Sequence, residues 1–201
     1  MEIYALLDLD TLKKFNIQIK DFTLFLRDLG IKILQYRDKT SHINEVKKNL
    51  ELIKKYWDGV VIINDYIELL DFADGIHIGQ EDLENLEKKL NLKRKDIIKS
   101  IKEKEKIVGL STHNKEEILL ANCLDLDYIG LGAYRNTSTK DTKNILGDKI
   151  FDLINLSYHP VAVIGGVKIY DKIPAKYKVI GSDLCRLMSI QSKKKKNLKK
   201  R

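Results

Sequence analysis

Eight times along the chain a short apolar run ends in a polar cluster and gives way to a helical pattern. This alternation constrains the fold more than any other feature. The first run is Ile3 to Leu7, closing on Asp8. Phe22, Phe25, Leu26 and Leu29 then mark a helix face, and Gly30 is placed just past its end, where a left-handed backbone is wanted. Ile31 to Leu34 is the second run and leads into Gln35-Tyr36-Arg37-Asp38-Lys39. Ser41 is placed to cap a helix whose Ile43, Val46, Leu50, Ile53 and Trp57 recur at steps of three or four. The third and fourth runs, Val60 to Ile63 and Gly75 to Ile78, are joined by a very short helix.

From Leu83 to Lys106 the spacing predicts one interrupted helix or two short ones. Lys106 to Leu110 ends in Ser111-Thr112-His113-Asn114, a helix covers Lys115 to Leu124, and Tyr128 to Gly132 is the sixth run. A polar loop from Ala133 to about Gly147 lacks periodicity, and loops of that length usually have a function. A helix around Lys149 to Leu156 precedes Val161 to Ile164, which stops at Gly165-Gly166. A short helix, a run from Lys178 to Ser182 and a last helix over Leu184 to Ile190 complete the pattern. Eight such units predict a single-domain (β/α)₈ barrel over residues 1–191, followed by a disordered basic tail over 192–201. A doubly wound open sheet is the alternative, but no Gly-x-Gly-x-x-Gly follows the first strand.

With 201 residues, 43% hydrophobic and 33% charged, the chain has material for one core. The net charge is +8, of which Lys193 to Arg201 carry seven, leaving +1 for the rest. A nucleic-acid partner is therefore not expected, because the body shows no basic face interleaved with aromatics. No run approaches the ~18 apolar residues that span a bilayer, and MEIYALLDLD has no signal-peptide pattern, so no membrane association and a cytoplasmic location are expected. A homo-oligomer is compatible with the sequence. Cys123 and Cys185 are expected to be buried free thiols of a reducing compartment.

A barrel delivers the C-terminal residues of every strand to one rim. Those residues are Gln35, Arg37 and Lys39; Asn64 and Asp65; Gln80 and Asp82; Ser111 and His113; Thr137, Thr139 and Lys140; Gly165 and Gly166; and Gly181 and Ser182. Arg37, Lys39 and Lys140 suit a multiply charged anion, since a guanidinium fork matches phosphate oxygens. Asp65 and Asp82 suit Mg²⁺, which commonly bridges carboxylates and phosphates. Gly165-Gly166 and Gly181-Ser182 fall at the last two strands, the usual place for a backbone phosphate cradle. Gln35, Asn64, Ser111 and Thr137 are neutral donors able to orient a heterocycle. The rim thus suggests two phosphate sites, one with metal, and a group transfer in which pyrophosphate leaves. Each residue also has a plainer use: Asn64-Asp65 and Gly-Gly as turns, Glu81-Asp82 as a helix start.

The segments Gln35 to Lys39, Asn64-Asp65, ADGIHIGQED (Ala73 to Asp82), Gly109 to His113, DYIGLG (Asp127 to Gly132), Thr137 to Lys140 and Val163 to Val167 resemble the thiamine-phosphate synthase family, in the family's order, over about residues 3 to 183. The resemblance implies a (β/α)₈ barrel that joins a pyrimidine methyl diphosphate to a thiazole phosphate, giving thiamine phosphate and pyrophosphate. It implies that Gln35, Arg37, Lys39, Asn64, Ser111 and Lys140 hold the pyrimidine diphosphate and that Asp65 and Asp82 ligate Mg²⁺. Thr137, Thr139, Gly166, Gly181 and Ser182 would hold the thiazole phosphate. Arg37, Lys39, Lys140 and Ser111 would carry the catalysis, with His77 and His113 structural.

Four departures from the family stand out. Gly132-Ala133-Tyr134-Arg135-Asn136-Thr137 replaces a loop close to Gly-Pro-Ile-Tyr-Pro-Thr. Lys176 to Ser182 lacks the usual Gly-Ala-Asp-Gly-like run, the segment from Leu83 to Lys106 is longer, and the final helix gives way early to lysines. A sister family, the thiazole tautomerases, shares the barrel and uses a histidine at the His113 position as acid/base. Its members tend to lose Asp82 and the Thr-x-Thr-Lys loop, both present here. A phosphate-ligand-binding barrel without catalysis is the third reading.

Overall fold

The structure, a computed structural model, describes residues 1–136 and 145–198, with side chains as far as 193. Eight parallel strands close into a barrel: β1 (Glu2–Asp8), β2 (Ile33–Arg37), β3 (Val60–Asn64), β4 (Gly75–Ile78), β5 (Ile107–Thr112), β6 (Tyr128–Leu131), β7 (Val161–Val163) and β8 (Tyr177–Ile180). Each pairs with the next, and β8 pairs with β1 to complete the ring. The helices are α1 (Leu9–Lys14), α2 (Ile19–Asp28), α3 (Ile43–Tyr56), α4 (Gln80–Leu90), α5 (Arg94–Lys102), α6 (Lys115–Ala121), α7 (Ile150–Ile154) and α8 (Ser182–Leu198). A six-residue 3-10 helix, Ile67–Phe72, joins β3 to β4.

Strand side chains alternate between two faces. Outward residues such as Leu7, Leu34, Ile63, Ile76, Leu110 and Ile129 pack under the helices in the main core. From α3 that core takes Val46, Leu50 and Ile53, all fully buried, each contributing on the order of 1.5–3 kcal/mol. The inward set, Tyr4, Leu6, Ile62, Tyr128, Ala162 and Val179, forms a second, smaller cluster inside the barrel. The same parity sends Gln35, Arg37, Asn64, His77 and Ser111 toward the axis.

Several local expectations change. Two helices rather than one follow β1. His42, not Ser41, precedes α3 as its cap, because Asp38 Oδ1 takes the N–H groups of Thr40 (3.1 Å) and Ser41 (3.0 Å) and spends Ser41 on the turn. No helix forms between β7 and β8; polar side chains hold that coil instead, Asp171 Oδ2 accepting from Lys168 N at 2.8 Å and Asp183 Oδ2 from Ile169 N at 3.1 Å. Helix α8 continues to Leu198, since no Gly or Pro interrupts the run of Gln, Ser and Lys. Cys185 is buried as expected, but Cys123 is exposed at the end of the short α6. Among the described residues no helix is long and apolar enough to cross a membrane. Gly30 does take the left-handed conformation just past α2, with φ +72°.

Candidate active site

A cavity of about 540 Å³ opens at the C-terminal mouth of the barrel. Gln35, Arg37, Lys39, Asn64, Asp65, Asp82 and Ser111 line one side of it, and Gly166, Gly181 and Ser182 also border it. The structure therefore brings together every described residue in the expected set; Thr137, Thr139 and Lys140 lie outside the described residues. Gln80, His77 and His113 line the same cavity.

Arg37, Lys39, Asp65 and Asp82 are each held by a partner. Arg37 faces the axis beside Asp8, its register partner on β1, and Nη1 meets Asp8 Oδ2 at 2.5 Å. The other oxygen of Asp8 accepts from Thr11 N at 2.8 Å and Thr11 Oγ1 at 2.7 Å, so this 3%-exposed carboxylate fixes the guanidinium from below. Asp8 was not among the expected site residues, although the pairing of neighbouring strand tips makes it findable. Lys39 Nζ lies against Asp65 Oδ2 and is 3.5 Å from Asp82 Oδ2. Burial alone would lower the Lys39 pKa, but the two carboxylates outweigh it and raise it.

Asp65 follows β3 with φ 63°, a left-handed backbone that turns its side chain to the rim. Its Oδ1 accepts from Gly79 N at 2.9 Å, and Asn64 Nδ2 donates to its Oδ2. Gly79 lies close beneath Asp65 and Asp82, and a Cβ there would come 2.7 Å from Asp82 Oδ2 and displace that carboxylate. Asp82 occupies the first turn of α4, and its carboxyl pKa is raised, by burial first and by the charge of Asp65 second. Two carboxylates about one ammonium make a place for positive charge. They are a pair; among the described residues no group of three or more His, Cys, Asp or Glu side chains gathers to hold a metal.

Opposite this acidic side, Gly165 and Gly166 have φ 91° and 64°. A Cβ on Gly165 would come within 2.6 Å of Ala133 Cβ, so only glycine lets the two rim loops approach this closely. Tyr134 N and Arg135 N donate to Ile164 O and Gly165 O, both at 2.9 Å. Gly181 caps α8, whose N-terminus opens toward the cavity at Ser182. Helix N-termini and glycine turns present backbone N–H groups to anions.

The histidines have structural partners. His113 N and Nδ1 both meet Glu117 Oε2 at 2.9 Å, while Asn114 Oδ1 caps α6 through Glu117 N at 2.8 Å. This is a capping box extended by one residue. His77 lies between Tyr128 and Ser111, with Nε2 2.9 Å from Ser111 Oγ. Gln80 Nε2 donates to Ser111 O at 2.6 Å and so supports Ser111 from the backbone side.

A family model described as thiamine monophosphate synthase matches residues 18–175. A thiamine-phosphate synthase from Persephonella marina is 35% identical over 145 residues, covering 69% of this chain and 64% of that protein, a little under two thirds of its length. One from Lawsonia intracellularis is 33% identical over 181 residues, covering 83% of this chain and 75% of the relative. In fold, the chain superposes on a thiamine phosphate pyrophosphorylase from Pyrococcus furiosus with a TM-score of 0.67, at 19% identity over 94% of this chain and 96% of the other. A family match over most of the barrel, with relatives of this similarity, makes the chain a member of the thiamine monophosphate synthase family.

Proposed function

We propose that the chain is a transferase that condenses 4-amino-2-methyl-5-(diphosphooxymethyl)pyrimidine with a thiazole phosphate, giving thiamine phosphate and pyrophosphate. The observation that carries this is one cavity with Arg37, Lys39, Asp65 and Asp82 on one side and, on another, the glycine turn after β7 and the N-terminus of α8 after β8. The first side suits a diphosphate with its counter-ion, and the second suits a monophosphate.

The site's donor set fits Mg²⁺. Asp65 and Asp82 converge on a single cation, Lys39, and the Asp82 carboxyl pKa is raised by burial first and by the charge of Asp65 second. Hard carboxylate oxygens, completed by diphosphate oxygens and water, are the usual Mg²⁺ shell. Asp65 and Asp82 would hold it, and when bound it supplies Lewis-acid neutralisation of the diphosphate.

Arg37 and Lys39, with Lys140 from the loop, neutralise the charge that grows as the methylene C–O bond breaks and the diphosphate departs with the electron pair. Asp8 keeps the Arg37 fork oriented, so little reorganisation is needed during the reaction. Asn64 and Gln35 orient the pyrimidine, whose exocyclic amine supports the benzyl-like cation. The backbone N–H groups at Gly166, Gly181 and Ser182, with Thr137 and Thr139, hold the thiazole phosphate. The thiazole nitrogen then donates its lone pair to the methylene carbon. No protein base is required, which agrees with His113 being committed to Glu117.

The test is product formation from the two substrates and Mg²⁺. Thiamine phosphate and pyrophosphate are expected in equal amounts. Interconversion of thiazole tautomers without condensation would overturn the reading in favour of a tautomerase.

A further inference from the structure

Five side chains form one unbroken hydrogen-bonded line inside the barrel. Gln35 Nε2 donates to the Tyr4 hydroxyl at 3.0 Å, and the Tyr4 and Tyr128 hydroxyls meet at 2.8 Å. The Tyr128 hydroxyl meets His77 Nδ1 at 3.1 Å, and His77 Nε2 meets Ser111 Oγ at 2.9 Å. Tyr4, Tyr128 and His77 are 1%, 4% and 8% exposed, and all five residues border the cavity. Two strand glycines make room for it. A Cβ on Gly109 would lie 2.1 Å from Tyr128 Cζ, and one on Gly130 would lie 2.8 Å from His77 Cε1. Bulky branched side chains normally fill these inward layers, so β5 and β6 give up packing to accommodate polar rings.

Counting protons gives the line a direction. Each hydroxyl has one proton, and a neutral imidazole has one N–H and one acceptor nitrogen. Burial raises the pKa of both phenols, so each keeps its proton. With Gln35 donating and the His77 imidazole in its neutral form, every proton between the two ends of the line is used only if Tyr4 donates to Tyr128 and Tyr128 donates to His77 Nδ1. The imidazole proton is then on Nε2 and goes to Ser111 Oγ. Gln35 is left with Oε1 as an acceptor, and Ser111 with its O–H as a donor toward the cavity.

We propose that Tyr4, Tyr128 and His77 are positioning residues that couple recognition of the pyrimidine amine at Gln35 to stabilisation of the departing diphosphate at Ser111. This rests on the synthase reading given above. The amine donates to Gln35 Oε1, and the Ser111 hydroxyl donates to a diphosphate oxygen. As the C–O bond breaks, the amine becomes a stronger donor and the diphosphate a stronger acceptor. Both changes polarise the line in the same sense, and hydrogen bonds in such a chain strengthen one another. The gain falls mainly in the transition state, where it raises kcat. No proton moves along the line.

Two measurements on the full chain test this. Steady-state kinetics of Tyr128→Phe, His77→Gln and the double variant are expected to show kcat lowered roughly 3- to 10-fold in each single variant. KM for thiazole phosphate should stay unchanged, and the double variant should be no worse than the poorer single one. Nitrogen-15 NMR of the substrate-free wild type should show His77 protonated at Nε2 and bare at Nδ1. Wild-type kcat in Tyr128→Phe, additive losses, or a proton on Nδ1 would each overturn the proposal. The spectrum needs no turnover, so a wild-type chain lacking condensation activity would sink the functional reading while the tautomer is judged separately.

Discussion

Arg135 and Asp171 are joined by two hydrogen bonds, Nη1 to Oδ2 at 2.6 Å and Nη2 to Oδ1 at 3.1 Å, across the gap between the loops that follow β6 and β7. The guanidinium also stacks on Tyr134, 4.3 Å from its ring centroid, and Nη1 reaches Gly166 O at 3.4 Å. On the β7 side, Lys178 Nζ donates to Ile169 O and, at 3.2 Å, to Asp171 O. This chain lacks the prolines of the family's Gly-Pro-Ile-Tyr-Pro-Thr loop, and the ion pair joins the backbone bonds from Tyr134 N and Arg135 N in tying its loop to the glycine turn.

Asp171→Asn is therefore expected to raise KM for thiazole phosphate with KM for the pyrimidine diphosphate unchanged. It should cost about 1–3 kcal/mol of stability, below the ~3–5 kcal/mol of a broken buried pair because Arg135 is 41% exposed. Burial alone would raise the Asp171 carboxyl, but Arg135 and the Lys168 N–H outweigh it and hold its pKa below the usual carboxylate value. Its contribution is present above the unfolded-state pKa and lost as pH falls through the lowered folded value. Melting curves between neutral and strongly acid pH should show the wild type losing this increment in acid, where the variant has none to lose.

Asp8→Asn keeps the acceptor for Thr11 but removes the charge beneath Arg37. If Asp8 holds the guanidinium in its working orientation, kcat should fall about 10-fold with the fold intact. Circular dichroism would check the fold, and unchanged kinetics would show that Arg37 needs no such support.

The barrel was legible because its signal repeats. Residues such as Val61, Ile63, Ile76 and Ile78 sit in short apolar runs, and each run ends at a polar tip. Gly30 and the rim pair Asp65 and Asp82 were readable from local sequence too. What stayed hidden depends on partners far away in the chain. Tyr4 and Tyr128 stand within short strand runs that give no sign of pairing, yet their hydroxyls meet across 124 positions. The helix expected between β7 and β8 fails to form because Arg135, Lys178 and Asp183 organise that coil from outside it. Cys123 looked buried from its apolar neighbours, but α6 ends at Ala121 and leaves it in solvent.

The two thiols should therefore differ in chemistry. Burial first, and the charge of Asp8 second, push the Cys185 thiol up to about 12, so at neutral pH it holds almost no thiolate. A thiol reagent added to the native protein should modify Cys123 alone, and Cys185 only after denaturation. Cys123→Ser should then leave the folded protein unreactive, and rapid labelling of that variant would contradict the burial of Cys185.

Asp82 poses the opposite case, a group that costs stability where it stands. Its carboxyl pKa is raised by burial and by Asp65, so the folded state favours the protonated form. The sign follows: stability is greater below the unfolded-state pKa and declines as pH rises through the raised folded value. Asp82→Asn removes that repulsion and also gives up one contact to Lys39. At neutral pH and without divalent ions the variant should melt slightly higher than wild type, by less than about 1 kcal/mol because the side chain is 41% exposed. With Mg²⁺ the order should reverse, since an ion held by Asp65 and Asp82 stabilises only the wild type. Turnover should fall by at least about 100-fold, as for the loss of one element of a preorganised electrostatic site. Melting curves with and without Mg²⁺ separate these effects, and a variant that matched wild-type Mg²⁺ stabilisation would remove Asp82 from the metal site.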